Sequence, residues 1–279
     1  MRMRLAEFSV PFPTERTTMA DLDLKTVKCE VVDQHIALVR LDNPPVNAHS
    51  SQMILDIPTM FDRLSDIDEI RAVVLTGEGR AFCAGADLKE RSSGAPEPGA
   101  YWRNSRGGRE AYHSIRECTK PVIGAINGAA LGGGLAIAAS CDILIASEAA
   151  LLGLPEIDVG LMGGQRHAMR LFSHSRLRTM ALTGQRIPGP ELYRTGVVEA
   201  CVPAGELIDA ALSMARTLAA KSPVALQMAK GSLNAIEEMS LRDGYRYEQN
   251  LTHQLGQTED SKEAMRAFAE KRAPVFKGR

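Results

Sequence analysis

Apolar positions fall into short unbroken runs in the first two-thirds of the chain and into helical stripes in the last third. Residues 28–32 and 35–41 are apolar-rich runs separated by Asp33-Gln34, the pattern of a β-hairpin. Asn43-Pro44-Pro45 stops the second strand, because proline offers no N–H to a ladder. Between 51 and 64, Met53, Ile54, Ile57, Met60, Phe61 and Leu64 recur at three- and four-residue steps, which predicts a helix. Pro58 inside it fits a first turn or a kink. Residues 72–76 and 121–126 are continuous apolar runs of strand length, as expected for strands buried on both faces. Residues 142–147 and 150–154 are again strand-like.

Residues 91–108 break this rhythm. They are polar, rich in Gly, Pro, Ser and Arg, and without periodicity, which predicts a long loop acting as a lid or insert. A short helix is expected over 111–118, and 135–141, apolar on all sides, reads as a core helix. Beyond Val202 only helical patterns remain. Residues 206–221 place Leu207, Ala211, Met214 and Leu218 on one stripe, and Pro223 opens the next helix at its first position. Ser240 with Asp243, and Asp260 with Glu263, resemble capping boxes. Strands punctuated by helices predict an α/β layered core. The expected organisation is a loose extension over 1–23, a core over 24–202 and a helical segment over 203–279. Such a segment cannot close a core alone, and self-association is the sharper reading of its role.

Composition narrows the function classes. The 279 residues are 44% hydrophobic, enough for a full core, and the net charge of −1 steers the molecule toward neither nucleic acid nor anionic lipid. Cys29, Cys83, Cys118, Cys141 and Cys201 are scattered, with no Cys-x-x-Cys pair, so neither a disulfide framework nor a zinc site is expected. Reduced thiols in a cytoplasmic protein are the plain reading. No apolar run reaches the roughly 18 residues of a spanning helix. Residues 1–21 carry arginines without the apolar segment of a signal peptide, Glu7 and Glu15 spoil a transit-peptide pattern, and Met19 is an alternative start to Met1.

The chemistry concentrates in two small-residue turns, Ala81-Phe-Cys-Ala-Gly-Ala-Asp-Leu88 and Asn127-Gly-Ala-Ala-Leu-Gly-Gly-Gly134. Each leaves an apolar strand and heads into a helix, where backbone N–H groups lack partners of their own and can face a ligand oxygen. Two of them converging on one oxygen would form an oxyanion hole for an enolate or tetrahedral intermediate. Tight helix–strand packing and a phosphate loop are the competing readings, and the Gly-x-Gly-x-x-Gly pattern of dinucleotide sites is absent.

These turns resemble the crotonase superfamily, the enoyl-CoA hydratase/isomerase group. So do Asn43-Pro-Pro-Val-Asn-Ala48, Cys141-Asp142, Leu154-Pro-Glu-Ile157 and Ala267-Phe-Ala-Glu-Lys-Arg272, all in the family's order. The resemblance implies a spiral of ββα units and a C-terminal helical oligomerisation segment, assembling as a trimer or dimer of trimers. It implies acyl-CoA thioester substrates and no metal or redox cofactor, coenzyme A being part of the substrate. By position, the N–H groups of Ala86 and Gly133 would hold the thioester oxygen. Ala84, Ala86, Asp87, Leu88 and Lys89 would lie along the CoA moiety, and Lys271 would reach CoA phosphates of a neighbouring subunit.

The resemblance also exposes departures. Hydratases of the family use two glutamates; here one is Glu156 and the other position holds Ala136. A single carboxylate suits a proton shuttle between carbons, so Δ3,Δ2-enoyl-CoA isomerisation stands as the alternative to hydratase-type chemistry. Set among Leu151, Leu152, Leu154, Ile157 and Val159, Glu156 is expected to have its pKa raised toward neutrality. Gly164 keeps the family's glycine, but Gln165, Arg166 and His167 replace small residues, more in keeping with a solvated helix start than with the pocket. His49 and His113 read as structural. A non-catalytic CoA-ester or RNA-binding member is a third reading, disfavoured because residues 53–64 carry no lysine and both turns are intact.

Overall fold

In the computed structural model residues 23–92 and 97–279 are described. The expected extension over 1–23 falls almost wholly outside them. The predicted hairpin forms from β1 (Val27–Asp33) and β2 (Ile36–Leu41), and α1 (Ser51–Asp66) follows, its first turn capped by Ser50 Oγ accepting from the Met53 N–H at 3.2 Å. Next come β3 (Ala72–Gly77), β4 (Ala81–Cys83), α2 (Leu88–Ser92) and α3 (Ala100–Glu117). Then β5 (Val122–Ile126), β6 (Ala129–Leu131) and α4 (Gly133–Ser140) are followed by β7 (Ile143–Ser147), β8 (Leu151–Gly153) and a 3-10 turn over Pro155–Val159. The chain continues through α5 (Gln165–Ala168), α6 (His174–Thr183), β9 (Arg186–Pro188), α7 (Gly189–Arg194) and β10 (Ala200–Val202). It closes with α8 (Leu207–Ala219), α9 (Pro223–Ile236), α10 (Leu241–Leu255) and α11 (Glu259–Glu270).

The strands sort into two sheets. One has the order β1-β2-β3-β5-β7-β10, parallel apart from the β1–β2 hairpin; the other has the order β4-β6-β8-β9. Each successive pair, β3/β4, β5/β6 and β7/β8, gives one strand to each sheet before a helical element returns the chain. That is a spiral of ββα units in an α/β fold. Because strand side chains alternate between faces, the larger sheet is covered twice. Val39, Val73, Leu75 and Val122 meet Met53, Ile57 and Phe61 of α1 on one side. Ile36, Leu38, Val74 and Ile123 meet Leu207, Ala211, Ala215 and Ala219 of α8 on the other. The α8 stripe is thus rotated by one residue from the expected Met214 and Leu218, which flank it. Alanines at the contact let the helix lie close to the sheet.

Three local expectations are corrected. The segment 91–108 is not a loop throughout, because α3 begins at Ala100 and runs without a break through the expected 111–118 helix. Its interior Gly107 and Gly108 lower helix propensity, and Gly107 has a packing reason: a Cβ there would press into the Ile54 side chain of α1. Of the two settings expected for Pro58, the first turn is ruled out, since it sits mid-helix in α1. Finally, Asp260 caps nothing. Thr258 is the N-cap of α11, its Oγ1 accepting from Ser261 N at 3.1 Å. Asp260, only 1% exposed, instead accepts from Ser222 Oγ (2.7 Å), Lys277 N (2.7 Å) and Gly278 N (3.1 Å), pinning the C-terminal residues to α9. Among the described residues no helix is long and apolar enough to cross a membrane.

Candidate active site

The first small-residue turn is held by the stretch that follows the hairpin. Asn47 Nδ2 donates to Glu78 O (2.9 Å) and Ala81 O (2.8 Å), and Ala84 N donates to Val46 O (3.0 Å). His49 then makes a parallel bridge with Ala86: His49 N donates to Gly85 O (2.8 Å) and Asp87 N to His49 O (3.4 Å). In that pattern the flanking residues make the bonds, so the Ala86 N–H faces away from His49. Asp87 Oδ1 accepts from Lys89 N (3.0 Å) and Glu90 N (3.1 Å), starting α2 and leaving Leu88 and Lys89 exposed at the rim.

The second turn is set by Asn127, whose Oδ1 accepts from Gly77 N (3.2 Å) while its Nδ2 donates to Gly79 O (2.9 Å). Gly132 N donates to Gly153 O (2.9 Å) with φ +53° and ψ −113°, a conformation that side-chain-bearing residues avoid. Gly133 is the first residue of α4, so its N–H belongs to the group that helix geometry leaves without an intrahelical acceptor. The two turns lie against one another. A Cβ on Gly85 would sit 2.8 Å from Leu131 O and 3.8 Å from Gly133 N. One on Gly134 would sit 2.8 Å from the Cys83 carbonyl carbon and closer still to its oxygen. Only hydrogen fits, and α4 starts hard against the end of β4. Burial pushes the Cys83 thiol up to about 12, so it supplies no thiolate nucleophile at neutral pH.

Glu156 reaches this junction from the 3-10 turn after β8. A Cβ on Gly132 would sit 2.8 Å from the Glu156 carboxyl carbon and closer still to Oε1, and one on Gly163 would sit 4.0 Å from Oε1. The carboxyl group therefore lies over Gly132, one residue from the Gly133 N–H. Gly164, at φ +69°, closes the other side; a Cβ there would meet Leu154 Cδ2 at 3.0 Å and Gly132 O at 3.1 Å. The surroundings of Glu156 are less apolar than expected, because Ile157 and Val159 are exposed on the outer side of the turn. Ala136 is fully buried, and residues 133–139 of α4 carry no polar side chain at all.

Three aromatic side chains border the same spot. A Cβ on Gly133 would sit 3.1 Å from Tyr112 Oη and 3.5 Å from His49 Nδ1. The His49 and Tyr112 rings stack at 5.4 Å, and His167 meets Tyr112 edge-on at 4.8 Å. His167 is thus packed into the site rather than solvated. Desolvation lowers its pKa, and the nearby His113, Arg170, Arg166 and Arg116 push the same way, favouring a neutral ring. Arg166 turns outward to Glu238, and His113 pairs with Glu117 on the surface of α3. Tyr112 falls within the helix expected over 111–118, but nothing in the sequence pointed its side chain at the two turns. The other site residues divide clearly: Ala84, Ala86, Asp87, Gly133, Glu156 and Gly164 lie at or beside the junction. Lys271 stands apart as the left-handed C-cap of α11, and among the described residues no hydrogen bond or ion pair ties it to the turns.

Comparison with known proteins agrees with this architecture. The family model described as enoyl-CoA hydratase/isomerase matches residues 32–279. A probable mitochondrial enoyl-CoA hydratase of Dictyostelium discoideum is 36% identical over 245 residues, covering 86% of this chain and 87% of the relative. The 2,3-dehydroadipyl-CoA hydratase of Escherichia coli is 34% identical over 88% of this chain and 96% of its own. The crystal structure of an enoyl-CoA hydratase from Bacillus anthracis superposes with a TM-score of 0.86 at 31% identity, covering 91% of this chain and all of that one. The chain belongs to the enoyl-CoA hydratase/isomerase family, a family of enzymes within the crotonase superfamily.

Proposed function

We propose that this enzyme adds water to a 2-enoyl-CoA thioester, with the Ala86 and Gly133 N–H groups holding the thioester oxygen and Glu156 moving the proton. The observation that carries this reading is the placement of the Glu156 carboxyl over Gly132, beside the first N–H of α4. When a nucleophile adds at the β-carbon, negative charge develops on the thioester oxygen. Two fixed N–H donors, one at a helix start, match it there and are worth about 3–4 kcal/mol of barrier each. Glu156 takes a proton from water and returns it to the α-carbon, so it ends the cycle ionised. Coenzyme A enters as part of the substrate, running past Ala84, Asp87, Leu88 and Lys89, and the chemistry calls for no metal or redox group.

Double-bond migration from 3-enoyl-CoA to 2-enoyl-CoA is the second reading, favoured by the absence of a carboxylate along α4. Assembly as a trimer or dimer of trimers belongs to the same proposal. Leu241 and Phe268 are 92% and 87% exposed in the single chain, supporting a face that another copy covers. A cytoplasmic setting accords with the five free thiols. The test is a pair of assays on one purified sample, loss of the conjugated 2-enoyl-CoA chromophore on hydration and its appearance from 3-enoyl-CoA. Hydration is the expected faster reaction; a sample that turns over neither ester sinks the proposal.

A further inference from the structure

We propose that the Tyr112 hydroxyl, braced between His49 and His167, binds the water that adds to the substrate, as a second polar group in addition to Glu156. The inference rests on the hydratase reading above and goes beyond it. Water adding to a 2-enoyl thioester gives one proton to Glu156 while its oxygen forms a bond to the β-carbon. The π electrons move to the thioester oxygen, and the protonated Glu156 then delivers hydrogen to the α-carbon, so one water is consumed and the carboxylate is regenerated. The hydrogen that stays on the water oxygen needs an acceptor to aim the attacking lone pair. A carboxylate lying on one side of Gly132 fixes one O–H direction only.

The structure offers few candidates for the other direction. The start of α4 is apolar from Gly133 through Ala139, so the second group must come from a neighbouring element. Two side chains approach the open face of Gly133, and Tyr112 Oη is the nearer, at 3.1 Å from the Cβ position against 3.5 Å for His49 Nδ1. A hydroxyl has lone pairs to accept from water and a rotatable hydrogen that can turn elsewhere. Its ring is held by the His49 stack on one face and by the edge contact with His167. The supporting frame is also tied. Arg116, one turn after Tyr112 on α3, and Arg170, three residues after His167, both bind Glu237 at the C-cap of α9, at 2.8 Å and 3.0 Å. A single carboxylate thereby fixes the two segments that carry Tyr112 and His167.

The test compares Tyr112→Phe with wild type in two reactions that share the enolate but not the water. One is hydration of the straight-chain 2-enoyl-CoA that wild type turns over fastest. The other is exchange of the α-protons of the corresponding saturated acyl-CoA in deuterium oxide, followed by NMR. Tyr112→Phe is expected to lose about hundredfold in hydration kcat, with α-proton exchange and the Kd of the saturated ester within threefold of wild type. Hydration within threefold of wild type overturns the inference, as does a parallel loss of exchange, which would make Tyr112 merely structural. A wild-type enzyme that exchanges α-protons but does not hydrate also overturns it, leaving the enolate reading intact. A wild-type enzyme that does neither removes both.

Discussion

Glu156→Gln is expected to lower turnover by about 10²–10⁴-fold, whether the assay is water addition or double-bond migration. The amide is nearly isosteric with the carboxyl group and keeps an acceptor over Gly132, but it cannot take up and release a proton. Binding should survive, since the stretch proposed to contact CoA lies on a different element, the turn from Ala84 to Lys89. The checks are kcat for both substrates and the calorimetric Kd of a saturated acyl-CoA ester. A variant retaining more than a tenth of wild-type turnover in the reaction the enzyme performs would remove Glu156 from the mechanism. A large loss of affinity with kcat unchanged would give it a binding role instead.

Gly132→Ala should damage both activity and stability, through separate causes. At φ +53° and ψ −113° an alanine is strained, at a cost of about 1–3 kcal/mol, read as a melting temperature lower by about 2–5 °C. Its methyl group would also occupy the place where the Glu156 carboxyl now lies. The backbone there is tied by Gly132 N to Gly153 O and by Ala136 N to Gly132 O, so the flexible carboxyl must move. A shift of about 1 Å in a proton-transfer group is worth roughly hundredfold in rate. The cause can be isolated by combining the two substitutions. In a Glu156→Gln background, Gly132→Ala should cost little further turnover while still lowering the melting temperature. Full additivity in turnover would show that Gly132 acts on the reaction by some other route.

Much of the candidate site was legible in the chain because its proposed donors are main-chain groups. A backbone N–H is positioned by local geometry, and local geometry leaves marks: glycines at Gly85 and Gly132, an apolar run before each turn, and an apolar helix after the second. Glu156 was legible for a different reason, through the Leu-Pro-Glu-Ile stretch and the family it resembles. Tyr112 and His167 left no such mark. Nothing in the sequence joins positions 112 and 167 to each other or to Gly133, and Gly107 and Gly108 disguised the first part of the helix, ahead of the tyrosine. Gly107 answers to the closeness of Ile54 on another helix, a packing fact with no local signature. Asp260 misled for the same reason, since its partners Ser222, Lys277 and Gly278 lie 17 to 38 residues away.

The amino-acid sequence by itself determined the hairpin, the buried strands of the larger sheet, their alternation with helices and the two glycine-bearing turns. These follow from periodicity and from the conformational limits of glycine and proline, all of which act over a few residues. Tertiary structure alone decided that the turns meet, that Glu156 lies over Gly132, and that His49, Tyr112 and His167 line the remaining wall. Those are contacts among six separate parts of the chain. They are fixed only when two sheets and the helices around them pack to a density that leaves room for hydrogen, and nothing larger, at Gly134.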